Sequence, residues 1–130
     1  MNMNMTQDIL VIEDDQIMRE ALTDWLQAAG YGVRTARDGS AGLAAVKLSV
    51  PAVVVTDIHM PGTSGAAIIS ELNRDYPQVA IIAISGLFNS GHDLDAEGAL
   101  ALGAARALAK PFKRAELLRA VAELLGRSAS

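Results

Sequence analysis

The chain has 130 residues, room for one domain built on a single hydrophobic core. Apolar residues make up 51% and the net charge is −4 with no basic run, which excludes a disordered chain and argues against a nucleic-acid-binding surface. Cysteine is absent, so disulfides and thiolate metal sites are excluded, and MNMNMTQD lacks the basic-then-apolar order of a signal peptide.

No apolar run is long enough to cross a bilayer, and the expected location is the cytoplasm. Residues 1–7 are expected to form a disordered tail. The first strand is predicted at Ile9-Leu10-Val11-Ile12, running into Glu13, Asp14 and Asp15. Ile17, Ala21, Leu22, Trp25, Leu26 and Ala29 then recur at helical spacing, and Gly30 closes that helix. Gly32 to Ala36 reads as a second strand. Asp38-Gly39-Ser40 reads as a turn and cap before a helix from Ala41 to Leu48. Pro51 opens a third strand at Val53-Val54-Val55-Thr56, and a helix from Gly65 to Arg74 carries Ile68, Ile69 and Leu72. Val79 to Ile84 is a fourth apolar run. A polar loop from Ser85 leads into an Ala/Leu-rich helix that stops at Gly103. Ala105 to Ala109 makes a weak fifth strand before Lys110-Pro111. The last helix sets Leu117, Leu118, Val121, Leu124 and Leu125 on one face, and residues 127–130 are expected to be a tail.

Alternating strands and helices in one domain, here residues 8–126, imply an α/β fold. Its sheet would be parallel, with right-handed crossovers and helices on both sides. Ligands of such doubly wound sheets bind beyond the carboxyl ends of the strands. Those ends would gather Glu13, Asp14, Asp15, Asp57, Ser85 and Lys110 on one rim. Taken singly, each has a plain structural use: Asp15 and Asp38 as helix caps, Ser85 as a cap, Lys110 as a solvated charge. Together they point to chemistry. Clustered carboxylates call for a cation, and an all-oxygen donor set suits Mg²⁺ working with a phosphate. A lysine supplies a point charge for a phosphoryl oxygen, and an aspartate beside a metal can act as a nucleophile toward phosphorus. The rim reads as a site for accepting a phosphoryl group.

The stretches ILVIEDDQIMRE, VVVTDIHMPGTSG, IIAISG and LGAARALAKPF, in this order, resemble the receiver domain of bacterial two-component response regulators. The resemblance covers essentially the whole chain. It implies a flavodoxin-like five-stranded sheet in strand order 2-1-3-4-5. It implies Asp57 as phosphoacceptor, Lys110 as the contact to the phosphoryl group and Ser85 as the hydroxyl that moves toward it. Mg²⁺ would be held by Asp14, Asp57 and the backbone carbonyl of His59, with Glu13 acting through water and Asp15 standing outside the acidic pair. The Lys110–Pro111 bond would be cis, and Pro61, Gly62 and Gly65 would shape the loop. The implied donors are a sensor histidine kinase or a histidine phosphotransfer protein. The implied output is a downstream partner or a second copy at helix 4, strand 5 and helix 5. With no linker begun after the last helix, a stand-alone, chemotaxis-type regulator is expected. Such a domain is not an enzyme with an external substrate, although it assists its own phosphorylation and dephosphorylation.

Two departures stand out. Ala107 occupies the position, three before Lys110, where the family usually carries an aromatic residue. The loop GLFNSGHDLDAEG is longer than is common, with Phe88 as apolar surface for a partner or as simple packing, and His92 as a solvated side chain. His59 would stand near the acceptor, either tuning water access or filling space. Trp25 reads as core. The alternative to a phosphoacceptor is an interaction module that keeps the fold without the chemistry. A metal-dependent phosphohydrolase lacks a general acid or base near Asp57, and flavin phosphate would be repelled by the acidic first loop.

Overall fold

The structure is a computed structural model that describes residues 8–60, 62, 64–86 and 95–126. The two tails, Pro61, Phe88 and His92 lie outside the described residues. Strands β1 (Asp8–Ile12), β2 (Gly32–Ala36), β3 (Val53–Asp57), β4 (Ala80–Ser85) and β5 (Arg106–Ala109) pair in parallel in the order β2-β1-β3-β4-β5. The expected strand order is therefore observed. The central strands β1, β3 and β4 are buried almost throughout, which is why their sequences are continuous apolar runs rather than alternations.

Successive residues of each central strand face opposite layers. Ile9, Val11, Val53, Val55, Ile82 and Ile84 pack against Leu22 and Leu26 of α1 (Gln16–Ala28) and Leu117 and Val121 of α5 (Arg114–Leu124). Leu10, Ile12, Val54 and Ile81 face the other way. They meet Val46 of α2 (Gly39–Leu48), Ile68, Ile69 and Leu72 of α3 (Gly65–Asp75) and Ala99 of α4 (Ala96–Leu102).

The turns on the strands' carboxyl side are set by caps. The side chains of Asp15, Asp38, Ser64 and Asp95 accept from the backbone N–H groups of Met18, Ala41, Ala67 and Gly98, each cap contributing about 1 kcal/mol. Asp15 is thus committed to starting α1. At the other end of the domain, Arg34 on edge strand β2 donates to Asp8 at 2.7 Å and to the carbonyls of Ala45 and Ser49, tying β2, β1 and α2 together.

Some expectations shift. The cap at Asp38 brings Gly39 and Ser40 into α2, two residues ahead of the predicted start. Strand β5 is shorter than predicted and only half-covered, as suits a sheet edge. Ile17 follows the apolar periodicity of α1 yet is 80% exposed, because it lies in the first turn, at the strand ends rather than over the sheet. Trp25 is half-buried rather than fully core, edge-on to Phe112 with ring centroids 6.5 Å apart.

Gly65 is fixed by contact. A Cβ there would lie 2.3 Å from the carbonyl oxygen and 2.4 Å from the Cβ of Ile58, so the loop after β3 must fold directly over the start of α3. At Gly42 an added Cβ would lie 2.4 Å from Cδ1 and 2.8 Å from Cγ1 of Ile12, a side chain rather than backbone. Gly65→Ala should therefore cost about 3 kcal/mol in urea unfolding and Gly42→Ala about 1 kcal/mol, because overpacking against backbone cannot relax. Equal costs would show that the loop after β3 is not held against α3.

Candidate functional site

The carboxyl ends of β1, β3, β4 and β5 converge at one rim. Glu13 follows β1 directly, and its N–H donates to the Ala36 carbonyl, continuing the ladder with β2. Its side chain is fully buried. Asp57 ends β3 opposite Ile84 of β4 and is 6% exposed. Lys110 follows β5, its N–H held by the Ser85 carbonyl at 2.9 Å. The Lys110–Pro111 peptide is cis, as expected.

Lys110 joins the acids. Its Nζ donates to Glu13 Oε1 at 3.0 Å and to Asp57 Oδ2 at 2.9 Å. The second Glu13 oxygen accepts the Asp15 N–H at 3.0 Å, and Asp57 Oδ1 accepts the His59 N–H at 2.9 Å. Burial pushes the Glu13 carboxyl above its ordinary value, and the Asp57 charge adds to this. The Asp15 N–H and Lys110 oppose the rise without cancelling it. Burial alone would lower the Lys110 ammonium, but its bonds to Asp57 and Glu13 raise it above the ordinary lysine value. The ammonium is therefore fixed as a cation.

One carboxylate oxygen each from Glu13, Asp14 and Asp57 lie within 4.8 Å of one another, with Asp14 exposed. Three carboxylates against one ammonium leave two negative charges, matched by one divalent ion. The donors are all oxygen and half of a carboxylate's lone pairs remain for a second partner, so the set fits a hard ion such as Mg²⁺. The expected site residues Glu13, Asp14, Asp57, Ser85 and Lys110 are thus brought to one place, and His59 lies in the same place.

Two features were not read from the sequence. Arg19, on the first turns of α1, donates to the Glu13 carbonyl at 2.9 Å and to the Asp14 carbonyl at 3.4 Å, bracing the acidic loop. A basic residue five positions after Asp14 is its only sequence signal. The second is a contact between the His59 ring Nδ1 and the Ser85 hydroxyl.

Residues 9–122 match the family described as the response regulator receiver domain. The chain belongs to this family. The receiver is 39% identical over 119 residues to the transcriptional regulatory protein FixJ of Azorhizobium caulinodans, a match covering 92% of this chain and 55% of FixJ. It is 30% identical to the nitrogen assimilation regulatory protein NtrX of the same organism, covering 88% of this chain and 25% of NtrX. The receiver therefore spans about half or a quarter of the length of these curated relatives. Among solved structures, the receiver domain of NtrX from Brucella abortus superposes with a TM-score of 0.84 at 32% identity, covering 93% of this chain and 100% of that one. A chemotaxis response regulator of Vibrio cholerae superposes with a TM-score of 0.82 at 25% identity, covering 92% and 99%. Among the described residues of the receiver, no helix is long and apolar enough to cross a membrane.

The direction of the Glu13 shift fixes a pH effect. A carboxyl whose folded value lies above its unfolded value of 4.5 favours the folded state most below that value. That contribution fades as pH rises through the folded value. Glu13→Gln lacks this titration. Its stability relative to the wild-type protein should therefore improve as pH rises from 4.5 toward neutrality, in urea melts without divalent ions. A pH-independent difference would show that Glu13 is not held above its ordinary value.

Proposed function

We propose that the domain, residues 8–126, accepts a phosphoryl group on Asp57 from the phosphohistidine of a sensor kinase or a histidine phosphotransfer protein. The observation that carries the reading is Lys110 bridging Asp57 and Glu13 beside Asp14, in a cluster that keeps two uncompensated negative charges. Such a cluster costs stability, and a fold kept only for interaction has no need of it.

In the proposed transfer, a carboxylate oxygen of Asp57 attacks phosphorus. The phosphorus–nitrogen bond breaks, its electron pair stays on the departing imidazole, and an acyl phosphate forms. Asp14, Asp57 and the His59 carbonyl, with Glu13 acting through water, would hold Mg²⁺, which would supply charge neutralisation. The other roles fall to the chain. Lys110 turns its ammonium from Asp57 to a phosphoryl oxygen. Glu13, buried and fixed by the Asp15 N–H, keeps that ammonium at the rim. Arg19 holds the loop that presents Asp14. Ser85 donates its hydroxyl to the phosphoryl group. The new phosphate brings close to two negative charges, enough to bias a two-state equilibrium in the surrounding loops and in the α4–β5–α5 face. A downstream protein or a second copy would read that face. The proposed setting is the cytoplasm. The domain would assist its own dephosphorylation by positioning water at the same rim.

Incubation with Mg²⁺ and acetyl phosphate should add the mass of one phosphoryl group. Asp57→Asn should abolish the gain, and a wild-type chain that gains nothing while a control receiver does would overturn the reading. Mg²⁺ alone at a hundred times its dissociation constant should stabilise the protein by about 3 kcal/mol in thermal melts. Asp14→Asn should lose most of that increment, whereas Lys110→Ala should keep it.

A further inference from the structure

Two features remain without a role in this scheme: the imidazole of His59 and the methyl group at Ala107. They bear on the same question, which is how the site reports its state.

Ala107 of β5 stands opposite Ala83 of β4, two residues before the pair Ser85 and Ala109. Neither alanine has a side-chain rotamer to change, so this seam offers no swinging group. His59 does have one, and it touches both ends of the switch. Its backbone N–H holds Asp57 Oδ1 at 2.9 Å, while its ring Nδ1 meets the hydroxyl of Ser85. Ser85 is fully buried, and its carbonyl holds the N–H of Lys110. A serine hydroxyl has a single hydrogen. It cannot be donated to the imidazole and to a phosphoryl oxygen at once.

We infer that His59 is a latch on Ser85. In the unphosphorylated protein the ring accepts the Ser85 hydroxyl and holds it off the acceptor. When Asp57 is phosphorylated, Ser85 donates to the phosphoryl group instead. The imidazole is then released from Ser85. This linkage does in this chain what an aromatic residue at position 107 would otherwise do. His59 is a positioning residue, and the inference rests on the phosphoacceptor reading above.

The test begins without phosphate. In protein labelled with ¹⁵N-histidine, the His59 Nδ1 resonance should carry the signature of a hydrogen-bond acceptor. Loss of that resonance in His59→Asn separates it from His92. Ser85→Ala should shift it, and Mg²⁺ with acetyl phosphate should shift the wild-type resonance the same way. His59→Leu, which cannot accept a hydrogen bond, should take up phosphoryl mass about three to ten times faster than wild type, the factor expected from freeing one hydrogen bond. His59→Asn, which offers a carbonyl oxygen near the place of Nδ1, should take up phosphoryl mass more slowly than His59→Leu. In a Ser85→Ala background, His59→Leu should add nothing further. The latch is overturned if Ser85→Ala leaves the Nδ1 resonance in place, or if the Leu and Asn variants react at one rate. A protein that shows the Nδ1 shift but gains no phosphoryl mass overturns the acceptor reading, and with it the latch's part in the switch.

Discussion

The ammonium of Lys110, shared between Glu13 of the first strand's end and Asp57 of the third, sets the terms for the rest of the site. A buried carboxylate without a partner costs several kcal/mol or takes up a proton. Glu13 is fully buried, and among the described residues its carboxylate has two partners, the ammonium and one backbone N–H. The shared ammonium lets Asp57 sit beside Glu13, and it also leaves the cluster short of positive charge. That shortage suits the rim to a divalent cation. The fold supplies this arrangement cheaply, because parallel strands end on the same side and helix caps turn the chain away from it.

Much of this is legible in the amino-acid sequence, for definite reasons. Strands β1, β3 and β4 announce themselves because burial on both faces demands continuous apolar residues, and Asp15 and Asp38 announce helix starts because caps need short polar side chains. The acids, the serine and the lysine can be collected because parallel topology forces strand ends together. Other features need the coordinates. Periodicity assigns Ile17 and Trp25 to a face but says nothing of where the sheet beneath that face ends, so one is exposed and the other half-covered. Arg19 braces the acidic loop through backbone carbonyls, which carry no side-chain signature. The meeting of His59 with Ser85 depends on how the loop after β3 folds over α3, and no pattern of residue types encodes that fold.

That loop is also where local and global demands meet. Gly65 lies so close to Ile58 that no side chain fits between them, and His59 follows Ile58 directly. The close approach of Gly65 and the hydrogen bond from the His59 N–H to Asp57 thus fall on neighbouring residues. A site positioned in this manner tolerates little change in the loop. It can still exchange one hydrogen bond for another, because that exchange needs only side-chain rotation.

From Ser85 the structure offers a continuous route outward. Its carbonyl holds the Lys110 N–H, and Phe112, two residues on, lies edge-on against Trp25 of α1. The strand end thus reaches the lysine by a hydrogen bond and Phe112 by two further residues of chain, with no side chain at position 107 in the path. A displacement of the β4 terminus reaches Lys110 through that hydrogen bond and reaches Phe112 through the chain. In a receiver whose β4–β5 register pairs the methyl groups of Ala83 and Ala107, the backbone connects the acidic rim to the α1–α5 layer. The path from the β4 end to the β5–α5 junction therefore consists of one backbone hydrogen bond and the chain that follows it.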